Sequence, residues 1–283
     1  MNERSYSRSL KISRFWVNFI CILLCILSVI PFWIMFVNAT RDSASIQQSI
    51  SLIPSKYFFK NAKTLLDRSS FNLPRGLWNS FSIAASSTAF AIYFSCLAAF
   101  GLIMYDFKLK KAAFTFILAV LMIPAQVSVV GFIAFLMQIN LMDSYVPLIV
   151  PSIASPAVVF FMHQYMKVAL PVDLVQAARI EGCGEFRIFN SIAIPIMVPA
   201  MATQAIFSFV FSWNNLFMPT MVINSQEKFT IPMMVQILKS DRYRTDFGTV
   251  YLGITLTILP MMIIYAFLSK YIIQGIALGG VKY

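Results

Sequence analysis

The residues able to do chemistry are few and badly placed for catalysis. The chain has one histidine, His163, and four cysteines, Cys21, Cys25, Cys96 and Cys183, with no CxxC spacing. That inventory excludes a multi-histidine metal site and reads the thiols as small packing groups. No Ser/His/Asp, Cys/His or paired-carboxylate arrangement fits the sparse polar residues of the apolar runs, so an intramembrane enzyme has little support. The 22 Lys and Arg and 11 Asp and Glu flank the apolar runs and leave their interiors free of ionisable carboxylates, lysines and arginines. Proton- or sodium-coupled carriers usually keep such groups near the midplane, although each costs at least roughly 2.5–3.5 kcal/mol there. Backbone-coordinated sodium stays open. The phosphate-cradling pattern GxxxxGK[ST] is missing, so an energy source must lie on another polypeptide.

One polar stretch has a structure of its own: Gln176-Ala177-Ala178-Arg179-Ile180-Glu181-Gly182-Cys183-Gly184-Glu185-Phe186. Pro171 suits a first helical position and Asp173 the positive end of a helix dipole, which predicts a short helix through Ala177 and Ala178. Gly182 and Gly184 are expected to end it. Phe186, Phe189, Ile192 and Ala193 then share a face of a second short helix that stops near Pro195. Small residues at 177 and 178 would let another surface approach the backbone. The chemistry of this stretch is docking; an ordinary loop between two spans fits the spacing equally well.

The elements around it are membrane spans. The chain is 59% hydrophobic and 12% charged, against about a quarter charged in soluble proteins. Its net charge of +11 comes from residues scattered at span edges, with no basic run interleaved with aromatics, so nucleic acid is not the expected partner. Six spans are expected, at about 15–37, 78–105, 112–137, 145–166, 198–222 and 247–268, within a single domain covering 1–283. The first exceeds a signal-peptide core and reads as an uncleaved anchor. A polar loop at 40–77 and a charged segment at 223–246, partly helical near 231–238, lie on one side. The connection carrying Lys108, Lys110 and Lys111 and the stretch 167–197 lie on the other, which the positive-inside rule makes cytoplasmic along with both termini. Pro124 and Gln126 interrupt the third span, as a plain kink or as part of a pathway. His163, beside Gln164, reads as a hydrogen-bonded interfacial residue. Trp213, Asn214 and Asn215 suit either a sugar path or aromatic anchoring with helix-to-helix bonding. Around Lys56 to Lys60 an amphipathic piece could lie at the interface.

The run QAARIEGCGEFRIFNSIAIPIMVP, Gln176 to Pro199, resembles the EAA loop of permease subunits of ABC importers. Ala177, Ala178, Gly182 and Pro195 match the pattern, while Gln176 replaces its first Glu, so an ionic contact is not expected there although the amide can still hydrogen-bond. Asn79-Ser80, Met122-Ile123-Pro124, Trp213-Asn214-Asn215 and the ending from Gln274-Gly275 to Lys282 extend the resemblance over nearly the whole chain. They point to the carbohydrate-uptake branch, in particular to subunits similar to the second membrane protein of the maltose importer. The resemblance implies an all-α polytopic fold, a bacterial inner-membrane location, and transport without enzymatic activity. It also implies a heterodimer with a related permease, two ATP-binding cassette ATPase subunits holding ATP and Mg, and an extracytoplasmic sugar-binding protein. No cofactor belongs to this chain itself. Gln176, Ala177, Ala178, Glu181, Gly182, Gly184 and Glu185 would form the coupling loop, and Gly279, Gly280 and Lys282 an ATPase-contacting tail. Gln126, Asn214 and Asn215 are the candidates for a substrate pathway. A permease for amino acids, peptides or a phosphorylated glycerol is the first competing reading, and a self-contained carrier or channel the second.

Overall fold

The structure, a computed structural model, describes residues 3–68, 71–240 and 246–280, with side chains described over 14–68, 71–124, 127–239 and 246–265. The described chain is all-helical: α1 (Glu3–Ala39), α2 (Ser43–Gln48), α3 (Phe58–Leu66), α4 (Leu73–Met104), α5 (Lys110–Leu121), α6 (Ala125–Gln138), α7 (Val146–Ile149), α8 (Pro156–Ala169), α9 (Val172–Ile180), α10 (Glu185–Ile188), α11 (Ile194–Trp213), α12 (Phe217–Val222), α13 (Ile231–Ser240) and α14 (Phe247–Gly280). Among the described residues, five stretches are long and apolar enough to cross a membrane: Arg14–Ala39, Leu73–Met104, Val146–Ala169, Glu185–Trp213 and Phe247–Tyr265. Val127–Gln138 is a shorter apolar helix. The chain forms two compact bodies, residues 1–71 with 235–259, and residues 72–234 with 260–283.

In the first body, the apolar stretch of α1 is exposed over most of its length, as a lipid-facing helix should be. Its end is tied down by Arg41, which is buried and donates to Ser45 O (2.7 Å), Ser49 O (2.8 Å), Ser49 Oγ (2.9 Å) and Asn38 Oδ1 (3.2 Å). Asn61 on α3 donates to Ala39 O and Arg41 O, both at 2.9 Å. A β-carbon on Gly248 would collide with the Arg41 carbonyl oxygen and the Asn61 amide, so glycine is what lets α14 start against this knot. The stretch 40–66, expected as a polar loop, therefore contains two helices and its own buried polar network.

The second body is built around α4. Its buried face carries many small residues, including Ala84, Ala91, Ser95, Cys96 and Ala99, beside the larger Ile83, Ile92, Phe100 and Leu102, and α8 and α11 pack against it. Asn72 caps α4, accepting from Arg75 N at 3.1 Å, and Pro74 fits its first turn, so the helix begins at Leu73, ahead of the expected 78. Asn79 Nδ2 donates to Glu227 O and Phe229 O, and Ser80 Oγ accepts from Ile231 N, which fixes the 226–231 segment to the start of α4.

Three expected spans prove to be broken. Pro124 has an extended backbone (φ −60°, ψ 123°) and caps α6, which splits the third span into helices of 12 and 14 residues. At about 1.5 Å per residue, neither covers a 30 Å core alone. The fourth is interrupted between Val150 and Ser155, where a 3₁₀ turn and the restart at Pro156 replace one helix. The fifth runs from Glu185 through a π turn at Phe189–Ala193 to Trp213, breaks, and resumes as α12. His163 is not hydrogen-bonded as expected: its ring stacks on Phe114 at 4.2 Å, and its Nδ1 has no partner among the described residues.

Candidate functional site: an elbow and a cavity

The stretch 172–188 folds as a helical elbow whose geometry follows from Gly182. Glu181 ends α9, and Gly182 takes φ +80°, a left-handed conformation that a β-carbon resists. The Gly182 amide donates to Arg179 O and the Cys183 amide to Ala178 O, both at 3.0 Å. This crossed pair satisfies carbonyls that a helix end leaves open, which makes the turn a Schellman cap. Gly184 is different from what was expected. It begins α10 with φ −69° and ψ 151°, an ordinary extended conformation, and contributes no bend. Pro171 likewise caps α9 one residue before its first turn.

Across the turn, Arg179 Nε donates to Glu185 Oε1 at 2.6 Å and Nη2 to Oε2 at 3.1 Å. Tyr105, just past the end of α4, donates its hydroxyl to Glu185 Oε2 at 2.6 Å, and the Arg179 guanidinium lies 5.4 Å from the Tyr105 ring centre. Burial, reinforced by Glu185, pushes the Tyr105 phenol above its ordinary value, so the hydroxyl stays a donor at neutral pH. The Glu185 hydrogen bond raises the Arg179 guanidinium in turn. The elbow's inner face belongs to the bundle core: Val175, Ala178, Ile188 and Phe189 are buried with Phe100, Met162, Met166 and Met197. Phe189 packs on Tyr93 (5.6 Å) and Phe100 (5.5 Å), so the elbow and the spans share one packed cluster.

The residues singled out in the sequence divide accordingly. Gln176, Ala177, Glu181, Gly182 and Gly184 are exposed. Ala178 is buried and cannot receive another surface; its small size serves packing within the core. Glu185 is held by Arg179 and Tyr105. The second helix does not stop near Pro195. The π turn before it shifts the hydrogen-bond ladder by one residue, so the proline ring and missing donor fall where the ladder is already interrupted. Two large apolar side chains point away from the core: Ile180, which was not among the candidates, is 88% exposed, and Phe186, expected to share a face with Phe189 and Ala193, is 72% exposed while those two are buried.

A second feature lies in the same body. A cavity of about 870 Å³ opens beside the helix breaks, and Asn214 and Asn215 line it together with Ser128, Ser212, Phe211 and Phe217. Trp213 does not line it: it is buried and stacked on Phe209 at 5.7 Å. Gln126 falls within α6, but its side chain lies outside the described residues. Gly279 and Gly280 end α14 with their surroundings outside the described residues, as is all of Lys282.

Residues 91–278 match the family described as "Binding-protein-dependent transport system inner membrane component". The chain belongs to that family. The permease is 31% identical over 280 residues to the arabinooligosaccharides transport system permease protein AraQ of Bacillus subtilis, covering 98% of this chain and 99% of that one. It is 30% identical to the lactose transport system permease protein LacG of Rhizobium radiobacter (90% and 92% covered), and 27% identical to the sn-glycerol-3-phosphate transport system permease protein UgpE of Yersinia pestis (89% and 91% covered). A chain from the crystal structure of a bacterial ABC transporter involved in the import of the acidic polysaccharide alginate superposes with TM-score 0.76 at 18% identity, covering 93% of the permease and 98% of that chain, so the fold is shared. The permease is a transport component of the ABC importer class. Its Arg179–Glu185 pair, six residues apart across a glycine, left a faint sign in the sequence. Tyr105, eighty positions from Glu185, left none.

Proposed function

We propose that the permease is one membrane half of an ATP-driven, binding-protein-dependent importer for a sugar or oligosaccharide. In this reading the 172–188 elbow docks on a partner ATPase, and a second, related permease completes the pathway. An extracytoplasmic binding protein delivers the solute, and ATP and Mg belong to the ATPase. The observation that carries it is the elbow's two faces. The inner one is continuous with the bundle core, while the outer one offers Ile180 and Phe186 beside Ala177 and Glu181. A segment built this way moves with the spans it is packed on and presents an apolar grip to a partner. The relatives named for arabinooligosaccharides and lactose support the solute class.

The elbow belongs on the cytoplasmic side of a bacterial inner membrane. Tyr105 ties it to the connection carrying Lys108, Lys110 and Lys111, a short basic segment of the kind that stays inside. Both termini share that side, and Gly279, Gly280 and Lys282 form a second ATPase contact in this reading. Replacing Ile180 or Phe186 by Glu in the assembled transporter tests it. Loss of ATPase co-purification and of ATP-driven uptake is the expected result; unchanged association and uptake in both variants would refute the docking role.

A further inference from the structure

We propose that the cavity beside the helix breaks is a solute subsite for a neutral, hydroxylated compound, with the amides of Asn214 and Asn215 as its hydrogen-bonding groups. This rests on the transport reading and goes beyond it by giving this subunit direct contact with the solute and by fixing the solute's charge.

The size, about 870 Å³, lies within the range of small-molecule sites. The lining has the composition such sites share, a mostly apolar wall with a few converging polar groups: Ser128, Ser212, Asn214 and Asn215, flanked by the rings of Phe211 and Phe217. Amides and hydroxyls both donate and accept, which suits sugar hydroxyls, and flat aromatic faces suit the C–H faces of a sugar ring. Asn214 is exposed and its side chain makes no hydrogen bond among the described residues. Asn215 Oδ1 accepts from Met218 N at 3.3 Å, which orients the side chain, and its NH₂ has no acceptor among the described residues.

Among the described residues, the lining contains no Asp, Glu, Lys, Arg or His. A phosphate or carboxylate settling against this lining would exchange part of its water for apolar wall and neutral amides and hydroxyls without meeting a cation, which is unfavourable. The cavity thus selects against anionic solutes and accepts uncharged ones. It lies where α12 follows the break after α11 and where the 3₁₀ turn precedes α8, places at which irregular backbone is tolerated because it borders a cavity.

The test uses the assembled transporter with its ATPase, second permease and binding protein, with photoreactive p-benzoylphenylalanine in place of Phe211. Tritiated arabinotriose and lactose are the probes, and ATP-driven uptake is measured on the same preparation. Irradiation is expected to label this subunit. Excess unlabelled sugar should compete, sn-glycerol 3-phosphate should not, and Asn214→Leu should cut the label roughly tenfold while Asn214→Gln retains it. Uptake without competable label would overturn the subsite and leave the transport reading standing. Competition by the phosphate equal to that by sugar would overturn the charge assignment. Absence of both uptake and label would remove the transport reading and the subsite together.

Discussion

Gly182 can be replaced by residues that differ only in their tolerance of a left-handed backbone, and the structure sets the size of the effect. No heavy atom lies within 4 Å of where a β-carbon on Gly182 would sit, so sterics with neighbours contribute nothing. What remains is the φ of +80°, unfavourable for an ordinary L-residue by about 1–2 kcal/mol, less for Asn and more for β-branched Val. That energy falls on the two capping hydrogen bonds, Gly182 N to Arg179 O and Cys183 N to Ala178 O. Amide exchange over 178–188 in the assembled transporter reads their opening directly. Gly182→Asn should exchange close to wild type, Gly182→Ala about 5–30-fold faster, and Gly182→Val faster still. ATP-driven uptake should fall in the same order, because a frayed elbow no longer moves as one piece with α4 and α11. Equal exchange and equal uptake across Asn, Ala and Val would refute the claim that the Schellman turn sets the elbow's shape.

Two further tests address the rest of the frame. Gly248→Ala should destabilise the first body by about 1–3 kcal/mol, since its β-carbon would meet the Arg41 carbonyl and the Asn61 amide, neither free to move. Gly76→Ala should be milder, because the atoms it meets are the flexible ends of Met234 and Ile231; melting curves of the two variants check the order. Asp143 joins two loops by accepting from Asn224 N, Ser225 N, Ser225 Oγ and Lys228 Nζ, and the Ser225 hydroxyl leads in holding its carboxyl below the ordinary range. A depressed folded value means that the stabilisation is complete above about pH 4 and is lost as pH falls toward that folded value. The protection of the Asn224 and Ser225 amides, their exchange rate relative to the unstructured chain at the same pH, should therefore fall on acidification below about pH 4, and Asp143→Asn should remove that pH dependence of protection.

What could be read from residues alone follows the range of each interaction. The long apolar runs of α1, α4 and α14 announce themselves because hydropathy is local, and so does the left-handed turn at Gly182. The breaks were only half legible. Pro124 marked one, but whether a proline kinks a helix, caps a new one or rides through a π turn, as Pro195 does, depends on backbone neighbours. Ala178 was misread because small size serves a core as readily as a docking face, and only the packing of Phe189 and Met197 distinguishes the two. Tyr105 was missed because its partner lies eighty residues away. The asparagine pair was read in its sequence context, whereas the cavity it lines is made by segments between Ile83 and Pro219.

The docking claim is tested most directly by a photoreactive residue at position 180 in the intact transporter, irradiated in membranes and followed by identification of the adduct. The account requires a covalent product with the nucleotide-hydrolysing subunit. Adducts confined to lipid or to the extracytoplasmic binding protein would contradict it.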